Sequence, residues 1–148
     1  MTDDRANSYL RTAILTAPPE QLRMMLIDGA VRAAEQAALA MREKRHEAFY
    51  NAITQCRAIV MELATSIRDD VDPTLAERVR SVYLFIYREL VDSSLSRDET
   101  RLAKAIELLR YEQETWRLLL DKLASERVMQ RATPAEPPAP GRSVSLSA

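Results

Sequence analysis

The sequence holds one cysteine, Cys56, and one histidine, His46, in 148 residues. A lone cysteine excludes an internal disulfide framework and fits a reducing compartment. A lone histidine excludes the paired Glu-x-x-His motifs of di-iron and di-manganese bundles. Two glycines and seven prolines are too little turn chemistry for a β-rich fold. Gly29 and Gly141 stand apart, so no glycine loop cradles phosphate. Aromatics make up 5% and the net charge is −1, with both signs mixed along the chain. That leaves no basic, aromatic-studded face for nucleic acid. No run of about 18 apolar residues exists, so no membrane span is expected. The opening Met-Thr-Asp-Asp-Arg is polar and lacks the apolar centre of a signal peptide, which points to a soluble cytoplasmic protein.

What is present is helix-forming. Hydrophobic residues reach 47%, and Ala, Leu, Arg, Glu and Met are strong helix formers. The length suits one domain, since domains commonly run to about 100–150 residues.

Residues 4–14 carry Tyr9, Leu10, Ala13 and Ile14, a short amphipathic piece. Isolated helices below about 12–15 residues are marginal in water, so this one docks or stays mobile. A long helix is expected from Pro19, whose fixed φ suits a first helical position. Pro18 cannot cap it, and Thr16 is the nearest substitute. Two apolar stripes follow, Leu22, Met25, Leu26, Gly29, Ala33, Ala37 and Ala40 beside Met24, Ile27, Val31, Ala34, Ala38 and Met41. A helix needs one stripe to join a core, so the second invites a partner.

A further helix spans about 46–68 with Phe49, Ile53, Cys56, Ile59, Val60, Leu63 and Ile67 inward. Asp72 and Pro73 read as N-cap and first residue of the next, running to about Leu95 with Leu75, Val79, Val82, Ile86 and Leu90 as core. Ser96-Arg97-Asp98-Glu99 has capping-box form and opens a last helix to about 125. Its inner face is Leu102, Ile106, Leu109, Gln113, Trp116, Leu120 and Leu123. From Thr133 the chain turns to Pro, Ala and Ser, too poor in apolar surface to order itself. The expected fold is all-α, an antiparallel up-down-up-down four-helix bundle with a short N-terminal helix and a disordered C-terminal tail. The divisions are a mobile cap over 1–15, a helical bundle over 16–130 and the Pro/Ala/Ser-rich tail over 131–148.

Little of this does chemistry. Cys56 sits mid-stripe, a core thiol, and lies nearly three helical turns from His46, too far for a nucleophile and its base. No zinc site or cofactor is expected. One enzymatic reading survives, an all-α mutase with Arg57, Arg78, Arg88 and Arg110 clamping a dicarboxylate. Its counterpart is that these arginines pair with Glu62, Glu77, Glu89 and Glu107 at the surface. Gly29, unfavourable by about 1 kcal/mol against alanine in a helix, suggests another backbone close by.

Tyr9-Leu10-Arg11-Thr12-Ala13-Ile14-Leu15-Thr16-Ala17, then Pro19-Glu20-Gln21-Leu22, resembles the opening of the flagellar export chaperone family FliS. So does Met25-Leu26-Ile27-Asp28-Gly29-Ala30-Val31-Arg32. Val82-Tyr83, Tyr87-Arg88-Glu89-Leu90 and Glu114-Thr115-Trp116 extend the similarity over about residues 7–124. Pro18 stands where the family has Ser, Ile27 where it has Tyr, and Ser94 where Asn is common. The resemblance implies a non-enzymatic cytoplasmic chaperone. It would bind the disordered C-terminal segment of flagellin, block premature polymerisation and help delivery to the export gate of the flagellar type III secretion apparatus. An N-terminal segment that covers part of the client surface and moves aside is also implied. The expected partner contacts are Met24, Ile27, Val31 and Tyr87, facing outward, with Tyr9, Leu10 and Ile14 as the movable cover. A regulatory helix-binding homodimer is the remaining alternative.

Overall fold

The computed structural model describes Arg5, Ser8, residues 19–68 and residues 72–132. Four helices follow in order: α1 Pro19–Arg42, α2 His46–Thr65, α3 Pro73–Ser96 and α4 Glu99–Ala132. No strand occurs among the described residues. Arg5 and Ser8 are helical and exposed; the rest of the expected N-terminal helix, and the tail from Thr133, lie outside the described residues.

The chain divides into two units, Met1–Arg117 and Leu118–Ala148. Within the first, pairings between helices set the topology. Arg23 on α1 donates to the Leu63 carbonyl on α2, and Cys56 on α2 donates to the Ala30 carbonyl. Arg57 meets Tyr87 on α3, and Arg97 just beyond α3 meets His46 at the start of α2. Tyr83 and Asp92 on α3 meet Glu112 and Arg101 on α4, while Gln113 and Arg110 return to Asp28 and Glu35 on α1. In each pair one number rises as the other falls, so all neighbouring helices are antiparallel. The bundle closes on itself.

The core explains the second stripe of α1. Ile27, Ala30, Val31, Ala33, Ala34, Ala37 and Ala40 are all buried. Alanines let the neighbouring helix come close, as the 3.4 Å bond from Cys56 Sγ to the Ala30 carbonyl shows. Facing them are Ile53, Val60 and Leu63 of α2, Tyr83, Ile86 and Leu90 of α3, and Leu102 and Leu109 of α4. Most of the girth expected to need a partner is therefore covered by the bundle itself.

Helix ends follow local chemistry. Asp72 Oδ1 accepts from the Leu75 amide at 3.1 Å with Pro73 as first helical residue, as expected. The expected capping box at Ser96 is corrected. Ser96 is still in α3, its hydroxyl donating back to the Asp92 carbonyl. Asp98 caps α4 instead, accepting from the amides of Thr100 and Arg101 at 2.9 and 3.4 Å. A carboxylate one residue before the helix outcompetes a hydroxyl three residues back. Both tight links turn on left-handed residues that are not glycine, Lys44 (φ 57°) and Arg97 (φ 52°).

One stripe departs from expectation at its start, and one helix runs longer. Leu75, expected in the core, is 57% exposed, and Tyr83, not assigned there, is buried. Ala76 rather than Leu75 faces inward at the start of α3, while Ile86 and Leu90 stay in the core as expected. The last helix continues to Ala132 instead of stopping near 125, because no glycine or proline interrupts it before Pro134. In the second unit, residues 118–132 are helical, with Leu118, Leu119, Val128 and Met129 exposed.

Candidate partner-binding surface

The first turns of α1 are where the motif-like sequence meets the structure. Pro19 starts the helix, and the Glu20 carbonyl accepts a 2.8 Å bond from the Trp116 indole N–H. One turn on, the Arg23 guanidinium lies 5.3 Å from the Tyr83 ring and 5.7 Å from the Trp116 ring. Its Nη2 donates 3.0 Å to the Leu63 carbonyl near the end of α2. One side chain thus touches all three other helices, by cation–π attraction and by a hydrogen bond. A further turn on, Asp28 accepts 2.8 Å from Gln113.

Around this clasp opens a cavity of about 470 Å³. Its walls are chiefly apolar: Leu22 and Leu26 of α1, Ile67 after α2, Leu75 and Val79 of α3, and Trp116 of α4. Glu20, Glu62, Arg68 and Asp72 edge it. An open, apolar concavity with few polar groups accepts hydrophobic anchors from a partner. A second groove, about 650 Å³, runs between α1 and α4 beside Ala38, Leu39, Leu102 and Ile106. The Arg110–Glu35 ion pair, 2.6 Å, spans those two helices.

The buried phenol of Tyr83 belongs to the same end of the bundle. Burial pushes its pKa up to about 12, helped by the nearby Glu112 carboxylate and opposed by Arg23. Its hydroxyl donates 3.2 Å to Glu112 Oε2. Burial likewise raises Cys56 to about 12, so the thiol stays protonated and inert, as a core thiol should.

The expected contacts divide. Met24 and Tyr87 are half-buried and keep accessible area against the core. Ile27 and Val31 do not face outward; they are 0% and 6% exposed. On α1 they lie on the arc shared with Ala30 and Ala34, which the bundle encloses. Tyr9, Leu10 and Ile14 lie outside the described residues. What sequence reasoning missed is Arg23, Leu75 and Trp116 as one cavity. The α3 spacing puts Leu75 in the core stripe, and Arg23 carries no periodic signal.

Other expectations are also resolved. Among the described residues, a Cβ built on Gly29 would meet only Ile59 Cδ1, at 3.5 Å, so there a side chain and not a second backbone faces it. The four arginines proposed as a clamp do not converge. Arg57 stacks on Tyr87, Arg110 pairs with Glu35 on another side of the bundle, and Arg78 and Arg88 are exposed. Arg110 pairs with Glu35 rather than Glu107, and Glu89 faces Arg101 at 4.0 Å. His46 is exposed at the start of α2, its Nδ1 2.8 Å from Arg97 Nη1. No helix among the described residues is long and apolar enough to cross a membrane.

Comparison with known proteins agrees with the motif-like segments. The chain is similar to the flagellar secretion chaperone FliS of Bacillus subtilis (strain 168), 22% identical over 120 residues. That alignment spans 81% of this chain and 89% of the relative. The family described as flagellar protein FliS matches residues 1–123, which take in α1, α2, α3 and most of α4 with its Trp116. A bundle of this kind, matched over that extent, belongs to the FliS family of flagellar secretion chaperones.

Proposed function

We propose that this chain binds the disordered C-terminal segment of flagellin in the cytoplasm, holds it from premature polymerisation and aids its delivery to the export gate of the flagellar type III secretion apparatus. The observation that carries this reading is the open apolar cavity at the start of α1, in a chain of a secretion-chaperone family. A flagellin end that is amphipathic and unpaired presents apolar anchors at helical spacing, and a groove between helices receives such anchors. Ordering a disordered segment costs on the order of 2–5 kcal/mol, so the contact extends beyond one cavity. Met24 and Tyr87 supply accessible contacts along that extension. Ile27 and Val31 brace it from beneath and meet the client only after neighbouring side chains withdraw. Tyr9, Leu10 and Ile14, ten or fewer positions before Pro19, are the proposed movable cover.

Trp116 is the only tryptophan and lines the cavity, so binding is directly observable. Flagellin lacking tryptophan in its C-terminal segment should shift Trp116 emission on titration, and flagellin truncated of that segment should not. Equal shifts with both forms sink the assignment. A second reading, pairing of two copies, is favoured by the exposed Leu118, Leu119, Val128 and Met129. Light scattering of the free chain separates a dimer from a monomer that gains mass only with client.

A further inference from the structure

Arg57 is at odds with its surroundings. Its Nε is buried and has no hydrogen-bond partner among the described residues. The guanidinium stacks 5.5 Å from the Tyr87 ring centroid, and Nη2 reaches the Tyr87 hydroxyl at 3.3 Å, a long bond. No carboxylate pairs with it among the described residues. Glu89, two positions from Tyr87, turns instead to Arg101 on α4. A half-buried guanidinium with an unused N–H keeps the capacity to take a carboxylate, because it offers paired donors of matching geometry.

The neighbours describe what would bring that anion. On α2, Thr54, Arg57 and Met61 recur at helical spacing along one face, and all keep exposed area. On α3, Leu84, Tyr87 and Val91 do the same. The antiparallel pairing of Arg57 with Tyr87 sets Met61 near the level of Leu84 and Thr54 near that of Val91. The outer groove between α2 and α3 thus sets Met61, Leu84 and Val91 around the Arg57 cation, with Thr54 and Arg80 at the ends of the two rows.

Resting on the proposed role in flagellin binding, we infer that this groove receives an amphipathic stretch of the client whose acidic side chain pairs with Arg57. The charge complement follows from the unpaired guanidinium, the apolar flanks from Met61, Leu84 and Val91. Arg57 lies midway along α2, so a chain following the groove passes it, and the carboxylate is a side chain rather than a terminus. Rotation about the flexible arginine stem turns Nε and Nη2 together toward the incoming carboxylate, while the Tyr87 ring stays beneath the cation.

The test is a double-mutant cycle by calorimetry with the full chain and a flagellin C-terminal segment. Arg57→Met keeps the apolar stem and should weaken binding by about tenfold. Arg57→Lys keeps the charge without the fork and should fall between; it also serves if Arg57→Met does not fold. Neutralising the client's acidic residues singly should reveal one whose loss costs about tenfold against the native chain and almost nothing against Arg57→Met. Amidating the client's C-terminus should change nothing. The inference is overturned if Arg57→Met, or Arg57→Lys in its place, binds the native client as tightly as the native chain. It is equally overturned if every neutralised client loses equally against both proteins, or if amidation reproduces the loss. Failure of the native chain to bind flagellin at all would instead strike the functional reading beneath it.

Discussion

Asp28 accepts a 2.8 Å hydrogen bond from the Gln113 side chain, tying the middle of α1 to α4 across 85 positions of sequence. The aspartate is one of the residues that resemble the flagellar chaperone family, and here its role is to hold two helices in register beside the cavity wall. Its neighbours in the motif do related things: Ile27 and Ala30 fill the core, and Gly29 lies against Ile59. Hydrogen bonds to charged groups contribute about 1.5–3 kcal/mol, and the half-buried setting lowers that. Gln113→Ala should cost about 1 kcal/mol, with a coupling to Asp28→Ala of similar size in denaturant melts. Additive losses would remove the bond from the account.

Gly29 offers a gain. A Cβ there meets Ile59 Cδ1 at ordinary contact distance, and the backbone is helical with no positive φ. Gly29→Ala should therefore raise stability by up to about 1 kcal/mol, the helix-propensity difference. Thermal melting reads it directly, and a fall in Tm would show that the α1–α2 contact is tighter than it looks.

The start of α4 separates two caps. Asp98→Ala should destabilise by about 1 kcal/mol, since it strands the amides of Thr100 and Arg101. Ser96→Ala removes only a hydroxyl bonded back to Asp92 and should stay within about 0.5 kcal/mol. The reverse order in urea melts would restore the capping box.

High pH should unfold the bundle from the inside. Cys56 and Tyr83 have pKa values raised from 9.0 and 10.0 to about 12, chiefly by burial. Below pH 9 both states hold these protons, and the stability they contribute is intact. Between pH 9 and 12 the unfolded chain releases protons that the folded chain keeps, so stability falls as pH rises. Tyr83→Phe should flatten the decline above pH 10 when melts are followed from pH 8 to 12. A stability independent of pH over that range would contradict the burial of both groups.

The Arg23 clasp shows where reading residues along the chain stops. Nothing in the spacing of Arg23, Leu75 and Trp116 relates them, since they belong to three helices and meet only at one end of the bundle. The same holds for Arg57, whose missing acceptor is visible only once Tyr87 is beside it. Leu75 and Tyr83 illustrate a subtler limit. Apolar residues crowd α3 on adjoining arcs, and periodicity alone does not choose which arc turns inward.

The amino-acid order by itself determined the four helices and most of their ends, because apolar period, proline and capping aspartate act within a few residues of one another. It also determined the inert thiol at Cys56, which has apolar neighbours on its own helix face. Tertiary structure alone decided that most of both α1 stripes is covered, where the cavity opens and that the Arg57 Nε–H is left without an acceptor among the described residues. Those depend on the angle and level at which separate helices meet, and that is settled by packing all four together.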